Sequence, residues 1–472
     1  MEKIDWQVEV ESRKEELIAD LQGLLQIPSV LDEKNATEDA PLGVDVKRAL
    51  DYMLSLGEKD GFTTKNSGNV AGHLEMGEGK RLIGVLGHVD VVPASDGWSV
   101  DPFSGTVKDD RVYSRGAIDD KGPTLAAYYG MKIVKELGLP LKKRVRLIIG
   151  TDEESDWRCV DHYFQHEEMP DMGFAPDADF PIIIAEKGIA DLELVQNFSP
   201  AEMKSSDITL ISFTAGLRYN MVPDYAKAVL DIKAGHTEII QLFQDFLERR
   251  EVTGNYYVES GYSVLELDGK AAHGSEPEKG KNAGLILAEF LALLELDQKG
   301  KTYVTTAGQL FADSRGHGIN IVYSDKISGE LTVNIGILSY NEQDGGRFGL
   351  TIRYPVTFNM EIGKETIKQV AGNVGFTIDK FSNSHPHHVE EDSELIQVLK
   401  NVYEKQMGEK AQLLAIGGGT YARSLKMGVA FGALFPGRPD VAHQKDEYME
   451  LADLLKATAI YAEAIYELAS RE

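Results

Sequence analysis

Short runs of apolar residues alternate with helical patterns in the first part of the chain. Residues 81–87 (RLIGVLG), 145–150 (VRLIIG) and 182–185 (IIIA) form continuous apolar runs as short as strands. Such runs are typical of parallel strands that are buried on both faces. A helix is predicted after Pro123, since proline suits a first turn and apolar residues follow at helical spacing. The pattern predicts an α/β domain with a mostly parallel sheet flanked by helices.

The pattern changes near residue 188 and returns near residue 386. Between these positions the strand-like segments alternate apolar and polar residues, as in ADLELV and ELTVNIGIL, and helices are predicted near 237–249 and 285–296. Asp344, Gly345 and Gly346 separate two strand-like runs and indicate a hairpin turn. Residues 188–385 are therefore predicted to form an inserted α+β domain.

The α/β pattern returns after the insert, with helices predicted near 393–406 and 449–469. Another amphipathic helix is expected near the N-terminus, where leucines recur at helical spacing at positions 17, 21, 24 and 25. We therefore predict a core domain of residues 1–187 and 386–472. The inserted domain interrupts this core domain.

The net charge of the chain limits the classes of partner that it is expected to bind. Its 472 residues include 49 Lys and Arg against 76 Asp and Glu, which gives a net charge of −27. Such a chain repels the phosphates of nucleic acids and of anionic lipids, so neither nucleic acid nor membrane is an expected partner. The same acidity also serves solubility.

The location is predicted from the N-terminus and from the cysteine count. The first residues mix charges throughout and show no apolar core of a signal peptide. No apolar run reaches the roughly 18 residues of a membrane-spanning helix. Cys159 is the single cysteine, which excludes an intrachain disulfide and suits a reducing compartment. A cytoplasmic protein is expected.

Candidate metal ligands follow several predicted strands. His88 and Asp90 come directly after the 81–87 run, and side chains two residues apart in an extended chain point the same way. Asp90 is therefore expected to orient the His88 ring toward a metal. Asp119 and Asp120 lie in a glycine-flanked loop before the Pro123 helix, where the local pattern favours capping of that helix and a metal-bridging carboxylate is the alternative.

Acidic residues and a histidine from later in the chain extend this set. Asp152, Glu153 and Glu154 follow the 145–150 run, where one carboxylate can bind metal while its neighbour handles a proton. A solvated acidic loop is the alternative. Asp177 precedes the 182–185 run and His443 precedes the last helix. Two imidazoles with carboxylates from Asp119, Glu154 and Asp177 suit a site for two divalent cations.

The motifs together resemble one metallopeptidase family. HVDVVP, RGAIDDKGP, GTDEES, PDADFP, AHGSEP, GGGTYAR and AHQKDE occur in order and are similar to the family of aminoacylase, acetylornithine deacetylase, succinyl-diaminopimelate desuccinylase and glutamate carboxypeptidase. The long insert, with NMVPD and IRYP, resembles the peptidase V type of bacterial dipeptidase. The resemblance implies a di-metal exopeptidase core of parallel sheet and helices, with the insert acting as a substrate-binding lid.

The resemblance also implies a role for each matching residue of the core. One metal ion would be held by His88 and Asp177, the other by Glu154 and His443, and Asp119 would bridge both. Asp90 would orient His88, and Glu153 would be the general base and later the acid. Zinc is the expected ion, with manganese or cobalt as alternatives, because mixed imidazole and carboxylate sites accept several divalent ions.

Residues of the insert, together with one glycine, would contact the substrate. The resemblance implies that His273 donates to the oxyanion, and that Asn220 and Arg353 hold the substrate. Arg353 would bind the carboxylate of a dipeptide, since a guanidinium can pair with both carboxylate oxygens. Gly418, within the Gly417–Gly419 run, would let the backbone approach the substrate. A cis peptide bond between Asp119 and Asp120 is also implied.

The expected activity is hydrolysis of dipeptides, with β-alanyl dipeptides as a further candidate substrate. The alternatives are an N-acyl-amino-acid deacylase or desuccinylase of the same family and a non-catalytic peptide-binding protein. All five implied ligands and Glu153 are present, which favours an enzyme. The resemblance also implies a monomer, because smaller members of the family dimerise through a shorter lid.

Overall fold

The chain divides into two units, each with its own hydrophobic core. The computed structural model describes residues 4–198, 206–233 and 235–472. The first unit comprises Met1–Ala185, His388–Leu414 and Thr420–Glu472. The second unit comprises Glu186–His387 and Ala415–Gly419. The glycine run at 417–419 thus groups with the second unit, whereas the sequence prediction assigned it to the core domain; the roles of the units as catalytic domain and lid stay predictions.

The first unit contains seven of the described helices and most of the short strands. Its helices are α1 (Trp6–Glu11), α2 (Lys14–Leu25), α3 (Val44–Lys59), α4 (Lys121–Glu136), α5 (Arg158–His166), α10 (Glu394–Met407) and α11 (Leu451–Ser470). Its strands, with β20 and β21 at the boundaries of the unit, are β1 (Thr63–Ser67), β2 (Ala71–Met76), β3 (Leu82–His88), β4 (Thr106–Lys108), β5 (Arg111–Tyr113), β6 (Arg144–Gly150), β7 (Met172–Ala175), β8 (Ala178–Asp179), β9 (Ile182–Glu186), β20 (His387–His388), β21 (Leu413–Ile416), β22 (Gly428–Ala430), β23 (Ala433–Leu434) and β24 (Tyr448–Glu450).

A mixed sheet forms the centre of the first unit. Its strand order is β1-β2-β6-β3-β7-β22-β9-β20. The central strands β6, β3, β7 and β22 pair in parallel, whereas β1-β2, β2-β6 and β22-β9 are antiparallel. The predicted α/β class is therefore confirmed, with the parallel strands confined to the middle of the sheet.

The apolar runs of the sequence form this buried centre. Every residue of β3 is buried, as expected for a strand covered on both faces. Helix α4 begins at Lys121 with Asp120 as its N-cap, so Pro123 lies in the first turn. A Cβ at Gly87 would lie 2.0 Å from Thr124 Oγ1. Glycine at this position therefore lets the end of β3 approach the first turn of α4.

In its described residues, the second unit consists of a large antiparallel sheet, a separate two-stranded sheet and four α-helices. Its helices are α6 (His236–Arg250), α7 (Ala283–Leu291), α8 (Gln298–Leu310) and α9 (Met360–Asn373). Its strands are β10 (Gly188–Gln196), β11 (Ile208–Ala215), β12 (Tyr225–Ile232), β13 (Thr253–Glu259), β14 (Tyr262–Asp268), β15 (Ser324–Asp325), β16 (Gly329–Glu330), β17 (Thr332–Asn341), β18 (Gly345–Tyr354) and β19 (Phe376–Ser384). The main sheet has the order β13-β14-β12-β11-β17-β18-β10-β19.

Two predicted features of the insert shift in the structure. The helix expected at 285–296 spans Ala283–Leu291, because the apolar positions after it belong to a turn that leads into α8. The expected hairpin joins β17 and β18, and Gly345 already belongs to β18. Within the described ranges, no helix combines the length and the apolar character that crossing a membrane requires.

Candidate active site

The candidate ligands of the first unit lie at one edge of its central sheet. β3 ends at His88, β6 ends at Gly150 directly before the acidic run, and β7 ends at Ala175 shortly before Asp177. β3 pairs in parallel with both β6 and β7. Their carboxyl ends therefore meet at the same edge, where open α/β sheets place their ligands.

The His88 ring is oriented by Asp90. His88 Nδ1 lies 3.1 Å from the Asp90 carbonyl oxygen and 3.4 Å from its Oδ1. Since a carbonyl only accepts, Nδ1 carries the proton and Nε2 keeps its lone pair. Nε2 faces Asp119 Oδ1 at 3.2 Å and Asp177 Oδ2 at 3.7 Å. This nitrogen is buried and makes no hydrogen bond to the described residues, so it is available to a metal ion.

Asp119 lies between the two histidines of the set. Its Oδ1 is the oxygen that faces His88, while its Oδ2 lies 2.9 Å from His443 Nε2. Both carboxylate oxygens of Glu154 lie 3.0 Å from the same His443 nitrogen. The carboxylate of Asp119 thus presents one oxygen to each histidine, as a bridging ligand requires.

Asp120 shows that capping does not account for the Asp-Asp pair. Asp120 occupies the N-cap position of α4, but its side chain makes no capping hydrogen bond. Its Oδ2 instead accepts from the His88 N–H at 3.2 Å and from Thr124 Oγ1 at 2.7 Å. Its Oδ1 is buried without a hydrogen bond to the described residues. The peptide bond between Asp119 and Asp120 is cis.

The three consecutive acids have three different surroundings. Asp152 is buried and accepts from the Arg158 guanidinium through both oxygens at 2.8 Å, so its role is structural. Glu154 points to His443, and its backbone N–H donates to Asp90 Oδ2 at 3.0 Å. Glu153 lies between them and is partly buried. A solvated acidic loop is therefore not what this run forms.

The electrostatics of the site reflect crowded carboxylates. Burial, together with the charges of Asp119 and Glu154, raises the pKa of Glu153 to about 7. Burial also raises the pKa of Asp177, and the charge of Asp120 adds to this effect. Hydrogen bonds to Asp119 and Glu154 raise the pKa of His443 to about 10. The protein alone therefore leaves excess negative charge at this edge of the sheet.

The donor atoms fit divalent cations. Two groups of candidate ligands have atoms within 4.8 Å of one another: His88 with Asp120 and Asp177, and Asp119 with Glu154 and His443. Imidazole nitrogens and carboxylate oxygens are the donors that zinc and related ions accept. A cation would also neutralise the crowded carboxylates and would favour the neutral form of His443. The orphaned His88 Nε2 gives such an ion a ready ligand.

Other histidines that attract attention in the sequence lie outside these groups. The candidate-ligand groups found among residues 4–198, 206–233 and 235–472 include neither the 385–388 cluster nor His162 and His166. His162 and His166 stack on each other along α5, with ring centroids 4.4 Å apart. Cys159 is buried, its Sγ lies 3.1 Å from the Tyr421 hydroxyl, and burial raises its pKa to about 12. None of these residues therefore belongs to the candidate metal site among the residues that the structure describes.

The residues expected to bind substrate lie in the second unit. Asn220 and His273 lie on neighbouring segments, since the Gly274 N–H donates to the Asn220 carbonyl at 2.7 Å. Arg353 lies in β18, is 6% exposed, and donates from Nη1 to the Gly417 carbonyl at 3.3 Å. A Cβ at Gly418 would meet nothing within 4 Å. No described neighbour therefore demands glycine at position 418.

The sequence reasoning missed residues that contact the ligands. The sequence and the family resemblance give Asp120 no ligand role of its own, although its carboxylate belongs to one ligand group. Arg115 and Glu447 form a buried ion pair beside the ligand loops. Both lie within motifs that carry the family resemblance, RGAIDDKGP and AHQKDE. Their place in these motifs could have marked them in the sequence, but only the structure shows that they contact each other.

Comparison with known proteins bears on the family of the chain. Residues 84–467 match the model of peptidase family M20/M25/M40. "Putative dipeptidase YtjP" of Bacillus subtilis (strain 168) is 54% identical over 99% of this chain and 100% of its own length. A relative of the same general name from Staphylococcus epidermidis (strain ATCC 12228 / FDA PCI 1200) is 45% identical over 98% of this chain and 99% of its own length.

Solved structures share the fold at low identity. Human carnosine dipeptidase 1 is 15% identical, with a TM-score of 0.55 over 99% of this chain and 98% of that chain. Aminoacylhistidine dipeptidase from Vibrio alginolyticus is 13% identical, with a TM-score of 0.59 over 97% of both chains. The family match covers most of the chain and includes every candidate ligand. The chain therefore belongs to peptidase family M20/M25/M40 and is a hydrolase that acts on peptide bonds.

Proposed function

We propose that the chain is a dipeptidase that cleaves the single peptide bond of a free dipeptide and depends on two divalent cations. The observation that carries the proposal is the position of Asp119, which presents one carboxylate oxygen to His88 and the other to His443. The names of two similar relatives, at 54% and 45% identity, support dipeptides as the substrate class. Zinc is the proposed ion because the donor set mixes imidazole and carboxylate.

The proposed ligands divide between two ions. His88 and Asp177 would hold one ion, Glu154 and His443 the other, and Asp119 both. Asp90 keeps the Nδ1 proton of His88 in place, so that Nε2 faces the ion. Asp120 is a further candidate ligand on the His88 side.

Glu153 is proposed to move the proton of the reaction. When bound, two divalent ions polarise the scissile carbonyl and lower the pKa of a water molecule toward 7. Glu153 takes a proton from the attacking water and delivers it to the nitrogen of the leaving amine. Without bound cations, burial and the neighbouring carboxylates raise the pKa of Glu153 to about 7, and a carboxyl group placed beside the attacking water can act first as base and then as acid.

His273 of the second unit is the proposed donor to the carbonyl oxygen of the substrate. Its Nδ1 accepts from the Ser275 N–H at 3.3 Å and from Ser275 Oγ at 2.7 Å. These contacts assign the proton of the neutral ring to Nε2. Burial, and then the charge of Arg353, lower the pKa of His273, which keeps the ring neutral near pH 7. Neutral His273 thus has one N–H to donate.

Replacing His273 with alanine is expected to lower kcat about 100- to 1,000-fold, the effect of losing one oxyanion donor. The measurement is steady-state hydrolysis of a free dipeptide by the zinc-loaded variant. His317→Ala is the matched control, because His317 is an exposed histidine of the same unit, paired with Asp313. A His273→Ala variant with kcat within tenfold of wild type would remove His273 from the proposed machinery.

Asn220, Arg353 and Gly418 remain proposed substrate-binding residues. The guanidinium of Arg353 would pair with the carboxylate of the second substrate residue. Such a pairing favours dipeptides over longer chains, since it requires a carboxylate at a fixed distance from the scissile bond. A cytoplasmic location and a monomeric state also remain predictions.

Hydrolysis of a small substrate panel tests the proposed function. Chelated protein is compared with protein restored with zinc or with manganese, on a dipeptide, its N-acetyl form, a tripeptide and a β-alanyl dipeptide. We expect no cleavage after chelation, and we expect metal-dependent cleavage of the dipeptide with or without its β-alanyl analogue. Cleavage of the N-acetyl compound alone would assign the chain to the deacylases and would contradict the role of Arg353.

A further inference from the structure

A buried ion pair connects two loops that carry candidate ligands. Arg115 is 1% exposed and Glu447 is fully buried, and Arg115 Nη1 lies 2.5 Å from Glu447 Oε2. Arg115 shortly precedes Asp119 in the chain, and Glu447 shortly follows His443. The pair therefore joins the loop of the proposed bridging ligand to the loop of a second ligand.

Glu447 holds the backbone of the Asp119 loop with its other oxygen. Glu447 Oε1 accepts from the Ile118 N–H at 3.1 Å and from the Asp119 N–H at 3.3 Å. Such a buried carboxylate binds backbone N–H groups strongly, because charge-assisted hydrogen bonds exceed neutral ones. The peptide plane of the bridging ligand is thereby fixed.

Arg115 holds the backbone of the His443 loop. Its Nη2 donates to the His443 carbonyl at 3.1 Å, and its Nη1 donates to the Gln444 carbonyl at 3.3 Å. The side chain of His443 is 51% exposed and its backbone has a φ of +62°. Packing alone therefore does not fix this residue, and left-handed backbone needs support from its surroundings.

We propose that Arg115 and Glu447 are positioning residues that set the spacing of Asp119 and His443 for a shared divalent cation. The inference rests on the metal centre of the proposed function. A buried ion pair is by itself a weak source of stability, because desolvation offsets the attraction. Here its remaining hydrogen bonds go to the backbone of both ligand loops, so its removal acts on metal affinity.

The variant Glu447→Gln tests the proposal. The amide oxygen of glutamine still accepts from the Asp119 loop, but its NH₂ group cannot accept from Arg115, so the His443 loop is released. We expect the affinity for the zinc ion on the His443 side to fall about 10- to 100-fold, as for other partners that orient ligands. The affinity for the ion on the His88 side should change less. The measurement is zinc binding by the metal-free full-length chain in competition with a chromophoric chelator.

Arg115→Lys is the second variant, and Glu75→Gln is the matched control. Lysine keeps the charge at position 115 but cannot reach Glu447 and two carbonyls with one planar fork. Glu75 pairs at 2.6 Å with the buried Arg146, on strands that carry no candidate ligand. The control should lower the free energy of unfolding of the metal-free chain and leave zinc affinity unchanged.

The outcomes separate a positioning role from a structural one. Wild-type zinc affinity in folded Glu447→Gln would overturn the proposal. If Glu447→Gln does not fold, Arg115→Lys decides: weaker binding of one ion supports the proposal, and unchanged binding overturns it. Equal weakening by Glu75→Gln would also overturn it. A wild-type chain that binds two zinc ions but cleaves no dipeptide would reject the proposed function alone, and the affinities would still decide the role of the pair.

Discussion

Replacing Glu153 with alanine is expected to lower kcat about 100- to 10,000-fold, the contribution of a positioned general base. The bound metal should remain, because the candidate ligand groups do not include Glu153. The physical reason is its surroundings: the side chain is partly buried beside Asp119 and Glu154, and its pKa is raised to about 7. The measurements are kcat on a free dipeptide and metal content by elemental analysis of the same sample.

The control for this variant comes from the same loop. Asp156 follows shortly after Glu153, is exposed, and belongs to neither ligand group. Asp156→Ala should therefore keep both the metal and the wild-type rate. Retention of a tenth of the wild-type rate by Glu153→Ala would contradict the proposed role of Glu153. Loss of metal from that variant would instead show that Glu153 contributes to binding the ions.

Replacing Asp119 with alanine is expected to abolish detectable hydrolysis through loss of metal. Asp119 is the one candidate ligand whose oxygens face both histidines, at 3.2 Å and 2.9 Å. Its removal should weaken the binding of both ions, and by more than the about 10- to 100-fold effect of partners outside the ligand set. Zinc titration of the metal-free chain, followed by dipeptide hydrolysis at saturating zinc, measures both effects.

An acid at the rim of the same pocket provides the control for Asp119. Asp440 lines a pocket with Asp119 and Asp177 but is exposed, and its Oδ1 accepts from the Ala442 N–H at 3.0 Å. Asp440→Asn keeps that acceptor and removes one charge, so zinc affinity should stay near wild type. An Asp119→Ala variant that binds two zinc ions with wild-type affinity would show that Asp119 does not bridge them.

The sequence predicted the strands that end at the site. The runs at 81–87 and 145–150, apolar apart from Arg81 and Arg146, form β3 and β6, because such runs suit strands that are covered on both faces of a sheet. The confirmed family also followed from motifs in fixed order. Local chemistry of this kind is visible in the sequence because it depends on neighbouring residues alone.

Tertiary contacts decide which group each acidic side chain binds. Asp152 and Glu154 differ by two positions in one acidic run, yet Asp152 binds the Arg158 guanidinium and Glu154 faces His443. For Asp119 and Asp120, the local pattern favours helix capping. In the structure, the carboxylate of Asp119 faces the His443 ring, and that of Asp120 accepts from the backbone N–H of His88. The local pattern alone does not separate these neighbouring acids, whereas the family resemblance gives roles to Asp119, Glu153 and Glu154 and none to Asp120 or Asp152.

What the sequence by itself determined is the family and the central strands, while its set of metal ligands stays a prediction. Only the tertiary structure decided which candidate ligand atoms lie close together, and which residues fix the loops that carry them. Arg115 and Glu447 lie far apart in the chain, and their pairing is invisible until β5 and β24 pair and bring their loops together. The physical reason is that local pattern depends on nearest neighbours, whereas a metal site depends on distances between loops that strand pairing sets.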